Sequence, residues 1–141
     1  MTQPHTPPKA AYRPLSPHLQ IWRFHMTMFS SIVHRITGVA TIAGLLMGVA
    51  WLWALAMGPQ AYTCFLGFAA SPFGLLVWFG VSLAGFVHLT GGIRHLIWDM
   101  GYMFEPKKAD TLATITFWGA IILTVILWAV LFSTGKVQVM L

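Results

Sequence analysis

Apolar residues run almost unbroken through three stretches of the chain, and the charged residues collect between them. From residue 36 to residue 93 there is no Lys, Arg, Asp or Glu. The first predicted helix covers about 27–57. Its charge-free part, 36–57, is roughly 20 residues, enough to cross the hydrocarbon of a bilayer. Gly58-Pro59 ends it, and the segment up to Ser71-Pro72 reads as an uncharged connecting loop on the far side. A second helix is predicted over 72–101, with Pro72 in a first-turn position. Residues 105–110, with Pro106, read as a short polar loop. A third helix covers 111–134, is apolar nearly all round, and stops at Gly135-Lys136.

Composition agrees with that pattern. Hydrophobic residues make up 57% and charged residues 8% of the 141, against about a quarter charged in soluble domains. The chain is expected to be an all-α integral membrane protein with three spans and no internal repeat. The net charge of +5 does not indicate nucleic acid, because the basic residues sit on alternate loops: Lys9, Arg13, Arg23 and Arg35 before the first apolar run, Arg94, Lys107 and Lys108 around the second loop. That distribution is a topology signal and places the N-terminus inside and the C-terminus outside. Residues 1–26 read as a cytoplasmic arm and interfacial segment, and 27–141 as the membrane domain. The arm holds five prolines before residue 18 and resembles neither a secretory signal nor a transit helix. Residues 18–25 are amphipathic and aromatic, suited to the membrane interface. The single cysteine, Cys64, rules out an intrachain disulfide or a thiolate cluster and reads as a small apolar filler.

Three constellations carry chemistry. Gly85, His88, Gly92, His95 and Asp99 recur at helical spacing and share one stripe. His88 lies about 10 Å deeper than His95 by helical rise. Two readings fit it: an imidazole hydrogen-bonded to a neighbouring helix, or an axial haem ligand with glycines clearing its face for a flat macrocycle. A six-coordinate haem needs two ligands at one height. The third helix has no histidine, His34 and His95 are expected near the inner surface, and Met47 is about 20 Å deeper than His34. A second ligand would therefore come from another chain.

Ser31 and Arg35 are four residues apart at the inner end of the first helix. They read either as interfacial anchors or as hydrogen-bond donors to a quinone carbonyl. His34, Arg35, Arg94 and His95 form a basic set at the inner surface, as headgroup anchors or as partners of haem propionates. Asp99 either fixes the His95 tautomer or is a helix-end charge. No span holds an ion pathway, and no Walker, HExxH or nucleophile-elbow motif occurs.

Read in order, Arg13-Pro14-Leu15-Ser16-Pro17-His18-Leu19-Gln20-Ile21, then Ser31-Ile32-Val33-His34-Arg35-Ile36-Thr37-Gly38, then His88-Leu89-Thr90-Gly91-Gly92-Ile93-Arg94-His95-Leu96-Ile97-Trp98-Asp99 resemble the larger membrane-anchor subunits, of cytochrome b556 type, of succinate dehydrogenase (respiratory complex II). The similarity spans about 13–101, with the third helix matching in position and apolarity only.

The resemblance implies half of a two-subunit haem-binding bundle. His88 matches the axial ligand of haem b, with the second histidine on a smaller anchor subunit. Ser31 and Arg35 match the ubiquinone site, walled by Phe24, Leu19 and Ile32, and His34, Arg35, His95 and Arg94 lie near the propionates. It further implies flavoprotein and iron–sulfur partner subunits carrying the FAD and the iron–sulfur clusters, and electron transfer from succinate oxidation to ubiquinone. Trp22 stands where the family often has tyrosine. The opening motif and the character of the arm point to a bacterial inner membrane, with the mitochondrial inner membrane as the alternative. A haem-free scaffold, a cytochrome holding both ligands in one chain, and the anchor of a quinol:fumarate reductase are the rival readings. The depth mismatch between His34 and His88 counts against the single-chain cytochrome.

Overall fold

A computed structural model describes residues 22–137. Most of the expected N-terminal arm, including Leu19, lies outside the described residues. Four helices follow one another: α1 (Met26–Ala56), α2 (Pro59–Ala69), α3 (Pro72–Asp99) and α4 (Pro106–Ser133). There is no strand among the described residues. α1, α3 and α4 are the three helices long and apolar enough to cross a membrane, and they stand within a few residues of where hydropathy placed them. At 31 residues, α1 is about 46 Å long, so it reaches well beyond a hydrocarbon layer of ~30 Å.

Two expectations are corrected. The supposed loop after α1 contains the 11-residue helix α2. Gly58-Pro59 and Ser71-Pro72 punctuate the chain as expected, but they mark the two ends of this helix. Gly58 adopts φ +103°, a region open to glycine, and Pro59 opens α2 at a position where its missing N–H costs nothing. Nothing between them breaks the helix. The third span also begins at Pro106 and not at 111. The charged residues Lys107, Lys108 and Asp110 made this turn look like a loop, yet charge excludes a segment from hydrocarbon and not from a helix. Glu105 precedes the helix and pairs with Lys108 at 2.7 Å.

The helix ends follow from local chemistry. Ser71 caps α3: its Oγ accepts the Gly74 N–H at 3.0 Å and donates to the Phe68 carbonyl at 2.7 Å. A side chain at Gly74 would strike the Phe68 carbonyl, so α3 starts hard against the end of α2. At its other end Gly101 has φ +85°. The Gly101 N–H meets the Trp98 carbonyl at 2.8 Å and the Tyr102 N–H meets the Ile97 carbonyl at 3.2 Å, which together satisfy carbonyls the helix leaves open.

α3 is the centre of the bundle, packing on α1 on one side and α4 on the other, while α1 and α4 meet less extensively. The seams are built from small residues. Ala84, Ala113, Ala120 and Thr124 are buried, and Gly44 lets Val81 approach its backbone. Close approach of backbones through small side chains is how apolar helices associate where lipid removes the hydrophobic drive. Large residues such as Ile36, Val39, Ile42 and Leu45 face outward. One polar bond crosses the α3–α4 seam, from Trp128 Nε1–H to Ser82 Oγ at 2.8 Å.

Candidate functional site

His34 on α1 and His88 on α3 meet face to face. Their rings stack at 4.2 Å between centroids with 13° between planes. Each ring also bonds to the other residue's main chain: His34 Nε2 to the His88 carbonyl at 3.2 Å, and His88 Nδ1 to the His34 carbonyl at 3.2 Å. A carbonyl only accepts, so both of these nitrogens carry hydrogen. The reciprocal clasp fixes both tautomers. In the neutral His88 ring Nε2 is left with a bare lone pair, the arrangement that ligating imidazoles adopt when a carbonyl orients them from behind.

Two glycines make room for the clasp. A Cβ on Gly38 would lie 3.1 Å from His88 Cε1, and one on Gly91 would strike the His34 ring. Gly38 is one turn beyond His34, and Gly91 is one turn beyond His88. Each helix therefore offers a histidine and, beside it, a bare stretch of backbone for the other helix's histidine. Gly85 and Gly92, on the His88 stripe, are different: a Cβ on either would meet nothing within 4 Å. They leave open a face of α3 a turn to either side of His88, which suits a flat group lying against it. The free imidazole nitrogen and the cleared face together fit a haem with His88 as axial ligand.

The expected difference in depth between His34 and His88 is not found. α1 starts at Met26, so His34 is already in its third turn, about 12 Å along the axis. Antiparallel packing sets that level against His88. The two still do not ligate one iron in this arrangement. Axial nitrogens must face each other through the macrocycle, whereas these rings are stacked at 4.2 Å with no space for a layer between them.

His95 is exposed and continues the same seam, its ring 5.1 Å from His34 and 5.3 Å from Trp98. Asp99 is exposed as well, and among the described residues no ion pair or hydrogen bond joins it to His95. Ser31 is half-buried, Arg35 and Ile32 are exposed, and the three lie within little more than one turn of α1. Phe24 is exposed beside them in sequence, edge-on to Trp22 at 6.1 Å and to Phe29 at 6.4 Å.

Arg94 departs from expectation. Its side chain does not reach outward to an anionic partner but lies 2% exposed between the helices, five residues before the end of α3, its guanidinium 5.2 Å from the Trp98 ring. One residue's offset from His95 turns it by about 100°, toward α1 and α4. Arg94 Nε and Trp98 Nε1 are buried without a hydrogen-bond partner among the described residues. The structure thus groups His34, His88 and His95 on one seam and separates Arg94 from Arg35. Sequence reasoning had no role for Gly38 and Gly91; the legible signal was a glycine one turn after each histidine.

Residues 9–127 match the family described as succinate dehydrogenase/fumarate reductase transmembrane subunit. The chain belongs to this family. Within the succinate dehydrogenase/fumarate reductase transmembrane subunits it is of the cytochrome b type. It is 37% identical over 120 residues to the succinate dehydrogenase cytochrome b556 subunit of Paracoccus denitrificans, covering 85% of this chain and 92% of that protein. The same subunit of Rickettsia conorii is 40% identical over 116 residues, covering 82% and 90%. The succinate dehydrogenase cytochrome b560 subunit of Marchantia polymorpha is 34% identical over 105 residues, covering 70% and 76%. Membership in the family makes the chain a membrane subunit of a larger enzyme complex.

Proposed function

We propose that the chain is the larger membrane anchor of a succinate dehydrogenase, holding haem b through His88 and forming part of the ubiquinone site. The observation that carries the reading is the His88 imidazole, with Nδ1–H engaged by the His34 carbonyl at 3.2 Å and Nε2 free to bind iron. Haem, when bound, supplies a one-electron carrier within the membrane. A second histidine would come from the smaller anchor subunit, as His34 is committed to the clasp. Arg35 and His95, both exposed, would pair with the propionates.

Reducing a quinone to a quinol takes two electrons and two protons, and negative charge develops on its carbonyl oxygens. Ser31 and Arg35 donate hydrogen bonds to one such oxygen, and the guanidinium stabilises the charge where it appears. Phe24 and Ile32, both exposed, wall the apolar ring. Succinate oxidation takes place on the flavoprotein subunit, and electrons reach this chain through the iron–sulfur subunit. Arg23, Lys107 and Lys108 mark one end of the bundle, while residues 58–71 at the other carry no Lys or Arg. The basic end faces the cytoplasm of a bacterium, and the partner subunits dock there.

Co-expression with the partner subunits, affinity isolation in mild detergent and an absorbance spectrum test this reading. A Soret band that His88→Ala abolishes is the expected result. An active complex without haem absorbance would favour the scaffold, and a band unaffected by His88→Ala would remove His88 as the ligand.

A further inference from the structure

Among the described residues Arg94 is the only charged side chain that is fully buried. Lipid or protein interior makes that costly unless the group has partners and a task. It lines a chamber of about 10 Å³ between α1, α3 and α4, together with Ser30, His34, Thr90 and Thr116. That is close to the smallest space that holds one water.

The hydrogen-bond inventory of the chamber is one-sided. Ser30 Oγ donates to the Thr27 carbonyl at 3.0 Å, Thr90 Oγ1 to the Phe86 carbonyl at 2.9 Å, and Thr116 Oγ1 to the Leu112 carbonyl at 2.9 Å. Their hydrogens are committed to main chain, so each hydroxyl offers only lone pairs. His34 Nε2–H is committed to the His88 carbonyl at 3.2 Å, so the neutral ring offers Nδ1 as a lone pair too. Against these acceptors stands Arg94 Nε–H, a donor without a partner among the described residues. A group that accepts one hydrogen bond and donates two joins this buried Nε–H to the acceptors around it, and water is that group.

We propose that one water bound in this chamber accepts from Arg94 Nε–H and donates to His34 Nδ1, making Arg94 a positioning residue for the imidazole pair. Its second hydrogen goes to one of the three hydroxyls. The bridge holds His34 in the tautomer whose Nε2–H reaches the His88 carbonyl. It also holds the His34 backbone and ring against which His88 is oriented. In this role Arg94 acts on the ligand through His34. The consequence for haem rests on the reading of His88 as axial ligand. The water bridge itself does not.

The test uses the assembled complex in two ways. In wild type labelled with 15N-histidine, solid-state NMR is expected to show His34 with hydrogen on Nε2 and a hydrogen-bonded, unprotonated Nδ1. Hydrogen on Nδ1 would overturn the bridge, whatever the complex binds. Electron paramagnetic resonance of the oxidised haem reports the rotation of the axial imidazole planes. Arg94→Met is expected to shift the low-spin g-values at undiminished haem content, and Arg94→Lys, which still donates, to restore them. The same Arg94→Met change in a His34→Phe background adds no further shift. Wild-type g-values in Arg94→Met at full haem content would refute the positioning role. A wild-type complex without haem would refute the reading of His88 instead and leave the NMR result standing.

Discussion

The Asp110 carboxylate of α4 caps the start of α1: its Oδ1 accepts the Thr27 N–H at 3.1 Å, across 83 residues of sequence. α1 has no cap of its own, since His25 precedes it without a side-chain bond to the helix. The other carboxylate oxygen lies 3.6 Å from His25 Nδ1. An anion at a helix N-terminus satisfies an open N–H and complements the helix dipole. Here the cap also joins two helices at the end of the bundle that carries the candidate site. Asp110→Ala is therefore expected to cost about 1 kcal/mol, read as a lowered midpoint of thermal unfolding of the solubilised complex. An unchanged midpoint would show that the contact contributes nothing.

The two kinds of glycine in the bundle separate experimentally. Gly91→Ala puts a methyl group into the His34 ring, which forces the imidazole pair apart at a cost of about 1–3 kcal/mol. Haem content and unfolding midpoint are expected to fall together. Gly119→Ala, on the third span where a Cβ meets nothing, is expected to leave both unchanged.

Gly92 tests the open face on its own. A Cβ there meets nothing within 4 Å, so a side chain at this position starts out into open space and not into a neighbouring helix. If haem lies along the His88 stripe, the leucine occupies its space. Haem content measured by absorbance is then expected to drop while the subunits still co-purify. Full haem content in Gly92→Leu would place the macrocycle elsewhere.

Arg35 and Ser31 are expected to matter only when quinone is the electron acceptor. Removing a donor that stabilises developing charge costs on the order of 10²-fold in rate. Arg35→Ala should therefore lower succinate-to-ubiquinone turnover by roughly that factor, while reduction of a soluble dye by the partner subunits stays at its wild-type rate. Equal losses in both assays would place the defect in assembly.

Ser82 and Trp128 form the polar bond across the α3–α4 seam. Ser82→Ala leaves the indole N–H without its acceptor, in a setting where interhelical hydrogen bonds contribute about 0.6–1.7 kcal/mol. A lower unfolding midpoint with unaltered haem absorbance is the expected signature, because the bond lies away from the His34–His88 clasp.

The spans were legible in the chain because hydrocarbon is a strict solvent. A stretch of some 20 apolar residues without charge has few places to go except across a membrane. His88 stood out for the same reason, as a polar group deep in such a stretch, and Ser31 and Arg35 as polar groups at its margin. Hydropathy was less informative where the membrane exerts no selection. It took α2 for a loop and began α4 five residues late, since Pro59 and Pro106 open helices as readily as they end them.

What no reading along the chain contained was the meeting of α1 with α3. The level of His34 against His88 depends on where α1 begins and on how two antiparallel helices slide past each other. That sliding is decided by side-chain fit at Gly38, Gly91 and Gly44. The inward turn of Arg94 depends likewise on which face of α3 the third span covers. Residue type and spacing determined which groups were available for chemistry. Packing determined which of them touch, because contact between helices is set by the shapes of both surfaces together.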